Sequence, residues 1–190
     1  MSKIAIVLTP GFADWEYALI GGTGGPFYGI DVRYFSPLHG KIQSQGGLTC
    51  EVADSVEAID EWQPDTTVVV GGLIWETEDA PDMTHVLTKQ LHRGGTVAGI
   101  CGGTLALARA GILNDVAHTS NDPSFLSGAK GYSGQSGYIE SKRAVTDGQV
   151  ITSPGIAPVT FTAAVFKSAK LEQTIVDQFQ AMLATEHRMS

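Results

Sequence analysis

The segment Thr96-Val97-Ala98-Gly99-Ile100-Cys101-Gly102-Gly103-Thr104-Leu105-Ala106-Leu107-Ala108 holds the residue types best suited to chemistry. A short apolar run ends at a cysteine, two glycines follow, and an alanine-leucine run opens a helix. That order predicts a sharp strand-to-helix turn, with the thiol standing above the strand end at a helix N-terminus in the manner of a nucleophile elbow. The helix start and nearby amide N–H groups favour thiolate over thiol, so a lowered thiol pKa is expected. Free cysteine is also among the most buried residue types, and a cysteine that closes an apolar strand reads as packing too. The pair Gly102-Gly103 favours chemistry, because a purely structural turn needs neither two consecutive glycines nor the small-residue helix start. Cys50 lies beside a hairpin signal without such a turn and keeps the packing reading.

Other chemistries have less support. His39, His85, His92, His118 and His187 show neither the paired spacing nor the Cys/His clustering that fixes zinc, so no metal and no cofactor is expected. A chain of 190 residues can bury a core without a disulfide, and both cysteines read as free thiols in a reducing compartment. With a formal charge of −8 and only 12 Lys plus Arg, none in a run, a phosphate-neutralising surface is hard to assemble, which argues against nucleic acid. The sequence shows neither a basic-then-apolar leader nor an apolar stretch long enough to span a bilayer; a soluble, cytoplasmic protein is expected, with no membrane partner.

The elements that must position Cys101 follow from periodicity. Ile4 to Leu8 is apolar at every position and closed by Thr9-Pro10-Gly11, the pattern of a central parallel strand buried on both faces. Further strands are expected over Ile30 to Phe35, Thr66 to Val70 and Thr96 to Ile100. Helices are expected from near Trp15 (with Asp14 as N-cap), near Glu57, from Asp82 to Arg93 and from Gly103 to Ala110. Glycines from Gly21 to Gly25 and Pro26 interrupt or shorten the first helix. Strand and helix alternate, which predicts an α/β domain with a parallel sheet between helices. Gln43 to Val52 and Tyr138 to Ser153 read as antiparallel hairpins attached to that sheet, and Gly128 to Gly137 as a surface loop. The chain closes with Pro158 to Ala169 and an amphipathic segment that places Leu171, Ile175, Phe179, Met182 and Leu183 on one stripe. No repeat or linker divides the chain, so one domain is expected.

Several motifs in order resemble the ThiJ/PfpI family, within the class I glutamine amidotransferase-like superfamily, over nearly the whole chain. Ile4 to Leu8 with Pro10-Gly11-Phe12 is similar to the family's first strand and loop, and Asp14-Trp15-Glu16 to the place of an acidic residue facing the cysteine. Val68-Val69-Val70-Gly71-Gly72 is similar to the strand and glycine pair of the oxyanion pocket, Ala98 to Gly103 to the elbow, and Val150 to Gly155 to the late strand and turn beside the site. The resemblance implies a three-layer sandwich, a flavodoxin-like and mostly parallel sheet with helices on both faces and small hairpin additions. It also implies Cys101 as nucleophile or oxidation site and Glu16 as the carboxyl that hydrogen-bonds it. Gly72 and Gly102 would supply oxyanion-hole N–H groups, and the assembly would be a homodimer.

The departures from that family pattern matter. Members with proteolytic activity place a histidine directly after the cysteine, where this chain has Gly102. Other members carry a histidine on the strand after the elbow helix; alignment through Gly111-Ile112-Leu113 and Thr119-Ser120 puts Asn121 there, with His118 three positions earlier. An offset of three points to the opposite strand face, so His118 can act as catalytic partner only if the strand bends or bulges. Glu76 stands where peptidase-like members hold an acidic group for a neighbouring subunit, or belongs to a solvated acidic loop with Glu78 and Asp79. Trp15 and Trp75 are candidates to wall the pocket, although aromatics of this size serve equally in core or interface. The resemblance implies substrates among α-oxoaldehydes, amides, peptides and isonitriles. The expected activity is a cysteine-dependent hydrolase or glyoxalase-like lyase acting on a small molecule. The alternatives are a redox sensor working by oxidation of Cys101 and, below that, a cysteine peptidase.

Overall fold

The first apolar run becomes β1 (Lys3–Val7), and its side chains alternate between two separate cores. Ala5 and Val7 pack with Val69, Trp75, Leu87 and Leu105, whereas Ile4 and Ile6 pack with Val68, Ala98, Phe161 and Phe166. Both faces of the strand are covered, which is why it carries no polar alternate. The computed structural model describes residues 1–185.

After β1 come α1 (Asp14–Tyr28), β2 (Asp31–Ser36), β3 (Lys41–Gln43), β4 (Thr49–Glu51), β5 (Asp54–Ser55) and α2 (Ile59–Trp62). The middle of the chain forms β6 (Thr66–Val69), α3 (Thr84–His92), β7 (Thr96–Ile100), α4 (Gly103–Arg109) and α5 (Pro123–Ser127). It continues with β8 (Val145–Asp147), β9 (Val150–Ser153), α6 (Pro158–Ser168) and α7 (Gln173–Ala184). Among the described residues the main sheet has seven strands in the order β5-β2-β1-β6-β7-β9-β8, parallel throughout except where β8 meets β9. Residues of α1, α6 and α7 enter one core and residues of α2, α3 and α4 the other, giving three layers. Strand order reverses between β1 and β6, and in open parallel sheets a ligand crevice forms beyond the carboxyl ends of strands at such a reversal.

Four expectations need correction. The hairpin β3–β4 forms a separate two-stranded sheet, whereas β8 and β9, within Tyr138 to Ser153, form the expected antiparallel pair attached to the main sheet. α1 runs unbroken through its glycines to Tyr28 because Gly24 packs against Val32 and Phe166; a left-handed Gly29 ends it. Ala13, not Asp14, is its N-cap, and Asp14 instead accepts the Gly46 N–H at 2.8 Å. On α7 the buried residues are Val176 and Phe179, and Met182 is 61% exposed, which removes it from the apolar stripe.

Candidate active site

Cys101 sits immediately beyond β7 with φ 54°, a left-handed conformation that costs a residue with a Cβ about 1–2 kcal/mol. Three hydrogen bonds hold it there. Its N–H donates to the Ser153 carbonyl at 2.9 Å, and its carbonyl accepts from the Thr104 N–H at 3.1 Å and from Thr104 Oγ1 at 2.6 Å. Thr104 Oγ1 lies 2.7 Å from Ser120 Oγ, which ties the elbow to the following segment. The strain resides in the cysteine and not in the glycines, contrary to the expectation from sequence: Gly102 has φ −56°, and Gly103 is helical. Each glycine answers to a close approach. A Cβ on Gly102 would lie 2.9 Å from the Gly72 carbonyl oxygen, and one on Gly103 would be driven into the Val69 carbonyl oxygen. The pair lets the elbow helix rest on the backbone at the end of β6.

Glu16, in the first turn of α1, is fully buried. Its Oε2 accepts the Gly71 N–H at 2.7 Å, while its Oε1 is buried without a hydrogen-bond partner of regular geometry. Gly155, in the turn after β9, shows what Oε1 faces: a Cβ there would stand 3.0 Å from Oε1 and 3.1 Å from Cys101 Sγ. Burial pushes the Glu16 carboxyl up to about 7, with the Gly71 N–H and the thiol pulling against it. Burial, followed by the Glu16 charge, pushes the Cys101 thiol up to about 11, opposed by Asn121 and the Gly102 N–H. The expected lowering of the thiol pKa is therefore overturned, because one short helix start does not outweigh desolvation and a neighbouring carboxylate. Each group raises the other, so over a wide pH range the pair holds a single proton between two adjacent groups.

Asn121 completes the surroundings of the sulfur. Its Nδ2 donates to Sγ at 3.2 Å and its Oδ1 accepts the Gly155 N–H at 2.9 Å, so a single amide spans the sulfur and the turn beside it. Gly72 lies against Gly102, its nitrogen 3.1 Å from where a Gly102 Cβ would be, and the Gly102 N–H interacts with the Cys101 sulfur. Trp15 Nε1 donates to the Gly155 carbonyl at 3.0 Å and the indole stays half exposed at the mouth. Trp75 is fully buried, bonded to the Val70 carbonyl at 2.9 Å, and supports Gly102 from below.

Two expected residues are not brought to the sulfur. His118 is fully buried, with Nδ1 2.8 Å from the Val116 carbonyl and Nε2 2.8 Å from the Tyr132 hydroxyl. Both ring nitrogens are spent, and Tyr132 and Tyr138 pack edge-on against the ring, so His118 is a packing residue of the segment after α4. Replacing it with Leu strands the Val116 carbonyl and the Tyr132 hydroxyl. A loss of about 2–4 kcal/mol in urea unfolding is expected, with the rate of Cys101 alkylation in the folded variant unchanged within about twofold. Glu76 is exposed at the end of a 3-10 turn and makes no hydrogen bond or ion pair among the described residues. Gly71 and Gly155 enter the sequence analysis only within the strand-and-turn motifs; the structure gives each its own part, Gly71 as donor to Glu16 and Gly155 as the turn against the sulfur. Gly155→Ala inserts a methyl group between the sulfur and Oε1. An activity loss of about 10–100-fold is expected with the fold retained, read by kinetics and circular dichroism.

Among the described residues no group of three or more His, Cys, Asp or Glu side chains could hold a metal ion, and no helix is long and apolar enough to cross a membrane. The chain is 28% identical over 173 residues to an uncharacterized protease, YoaZ, of Bacillus subtilis, covering 87% of this chain and 82% of that one. It superimposes on the crystal structure of the DJ-1 superfamily protein Atu0886 from Agrobacterium tumefaciens with a TM-score of 0.93 and 37% identity, over 99% of this chain and 100% of that one. A ThiJ/PfpI family protein from Bacillus anthracis matches with a TM-score of 0.80 and 26% identity, over 97% and 91% of the two chains. The model of the DJ-1/PfpI family matches residues 2–168, and with that match the chain belongs to the DJ-1/PfpI family.

Proposed function

We propose that this protein is a cysteine-dependent enzyme acting on the carbonyl or amide carbon of a small molecule. The observation that carries this reading is the Glu16 carboxyl, buried, fixed through one oxygen by Gly71 and left with its other oxygen free toward the thiol. As Sγ bonds to the substrate carbon, the thiol proton passes to Glu16 and the carbonyl π pair moves to oxygen. The N–H groups of Gly72 and Gly102 receive that oxyanion. For an amide, Glu16 returns its proton to the departing amine and water then cleaves the thioester; for an aldehyde, it returns the proton to the oxygen of the thiohemiacetal. Glu16 at about 7 is a base poised for work near neutral pH.

A sensor that oxidises Cys101 to sulfinate would use the same atoms. Peroxide attacks thiolate, which burial beside the Glu16 charge disfavours, whereas Glu16 can take the thiol proton as Sγ meets a carbonyl; on that ground carbonyl chemistry is placed above sensing. A peptidase ranks lower still, since the ring of His118 is committed elsewhere. Action as a cytoplasmic homodimer remains part of the proposal. The test is turnover of methylglyoxal and of a model amide, beside peroxide uptake mapped to Cys101 by mass spectrometry. A kcat above about 1 per second on either compound supports the enzyme; oxidant uptake without turnover replaces it with the sensor.

A further inference from the structure

Nine large apolar side chains are exposed among the described residues, and three of them are chain neighbours of groups at the sulfur. Trp15 precedes Glu16, Leu73 follows Gly72 and Ile156 follows Gly155, with exposures of 50%, 64% and 76%. They come from the first turn of α1, a 3-10 turn after β6 and the turn after β9, so they do not belong to one amphipathic element. Trp15 and the Ile156 turn are joined by the hydrogen bond from the indole to the Gly155 carbonyl, which fixes the ring instead of leaving it to swing. Leu73 follows Gly71 and Gly72, whose missing Cβ positions abut Cys101 Cβ and the Gly11 carbonyl.

The charge beside the sulfur itself is negative. Among the described residues the charge acting on the thiol is that of Glu16, and no lysine or arginine acts on either group. Asp14, whose carboxyl is held below its ordinary range by bonds from Ser44 and Gly46, lies in the same helical turn as Glu16. Lys142 and Arg143 line a groove with Ile156, Pro158 and Val159, but neither enters the hydrogen bonds at the sulfur. An anionic group brought to the thiol would meet like charge and find no partner there.

We propose that Trp15, Leu73 and Ile156 form an apolar rim that selects neutral carbonyl compounds bearing an aryl or bulky alkyl group next to the electrophilic carbon. This rests on Cys101 being the group that meets the substrate. The rim determines specificity and takes no part in proton transfer. Its contribution is the burial of apolar substrate surface, which for a phenyl in place of a methyl amounts to at least about tenfold in rate.

Alkylation of Cys101 by three bromomethyl ketones tests this without requiring turnover. Phenacyl bromide, bromoacetone and bromopyruvate carry a phenyl, a methyl and a carboxylate on the same reacting unit; in each, Sγ displaces bromide and the thiol proton goes to Glu16 or water. Rates are divided by those of N-acetylcysteine at the same pH. The wild type is expected to favour phenacyl bromide over bromoacetone by about tenfold or more and to react slowest with bromopyruvate. In the combined Leu73→Ala, Ile156→Ala variant, which leaves the Trp15 bond to Gly155 in place, the phenacyl preference falls by about threefold or more, while bromoacetone stays within about threefold of wild type. Leu73→Ala and Ile156→Ala alone, at exposed positions, each lower the preference and keep the test valid should the combined variant fold poorly.

A wild-type ratio near unity, a ratio untouched by the substitutions, or bromopyruvate reacting fastest overturns the assignment. So does a combined variant that runs as a smaller oligomer with the ratio unmoved, which would give the rim to a second copy of the chain. A protein that shows the aryl preference yet turns over no carbonyl retains the rim and loses the enzymatic reading. One that turns over methylglyoxal without the preference retains the enzyme and loses the rim.

Discussion

Cys101→Ser is expected to lower carbonyl turnover by at least about 10³-fold with the far-ultraviolet spectrum unchanged. The exchange keeps the left-handed backbone, the Ser153 and Thr104 hydrogen bonds and nearly the same volume. It changes the acidity of the group that Glu16 must deprotonate. A carboxylate raised to about 7 stands within reach of a thiol at about 11, whereas an alcohol lies several further powers of ten away and is a poorer nucleophile once formed. Steady-state kinetics checks this. Retention of a tenth of wild-type activity would remove Cys101 from the nucleophile's role.

Glu16→Gln should move activity and stability in opposite directions. Gln keeps an oxygen for the Gly71 N–H but cannot take the thiol proton, so a fall of about 10²–10⁴-fold in kcat/KM is expected. The wild-type profile should climb with pH through about 7, where the carboxyl ionises, and the variant should lack that limb. Stability carries the reverse sign. Because the folded state holds the Glu16 proton more tightly than the unfolded chain, its stabilising contribution is complete below about 4.5 and is lost as pH rises through about 7. At pH 8 the wild type bears the cost of a buried carboxylate, on the order of 3 kcal/mol. The variant, which never carries that charge, is expected to unfold at higher urea concentration there and to match the wild type near pH 4. Equal midpoints at both pH values would mean that Glu16 ionises without cost.

The architecture was legible because it depends on burial of whole strands. Ile4 to Leu8 is apolar throughout, and Thr66 to Val70 and Thr96 to Ile100 carry only threonines at their starts without polar alternation, the pattern of a sheet covered on both faces. The path of α1 was not legible, since Gly24 weakens a helix by propensity and is retained by tertiary contact with Val32 and Phe166, which sequence spacing does not show. At the site, the elbow and Glu16 were found from motifs in order, and the structure sets the carboxyl and the sulfur around Gly155. The helix start is visible in sequence, whereas the burial of the sulfur, the larger influence on the thiol ahead of the Glu16 charge, is not. His118 was a candidate by residue type alone; its neighbours Tyr132 and Tyr138 lie within what was read as a surface loop or beyond it, and only folding brings them to its ring. Asn121, named as the residue in the histidine's place, is the one that bonds the sulfur.

The central claim is that Glu16 and Cys101 share one proton. The most direct measurement is the rate of Cys101 alkylation by iodoacetamide from about pH 5 to about pH 12, in wild type and in Glu16→Gln, relative to a free thiol. A shared proton predicts two steps in the wild type, near about 7 and about 11, with a plateau between them where a small, constant fraction of the protein carries thiolate beside protonated Glu16. The variant should show a single step below about 11, because the charge that opposes thiolate is gone. Superimposable single-step profiles in the two proteins would contradict the account.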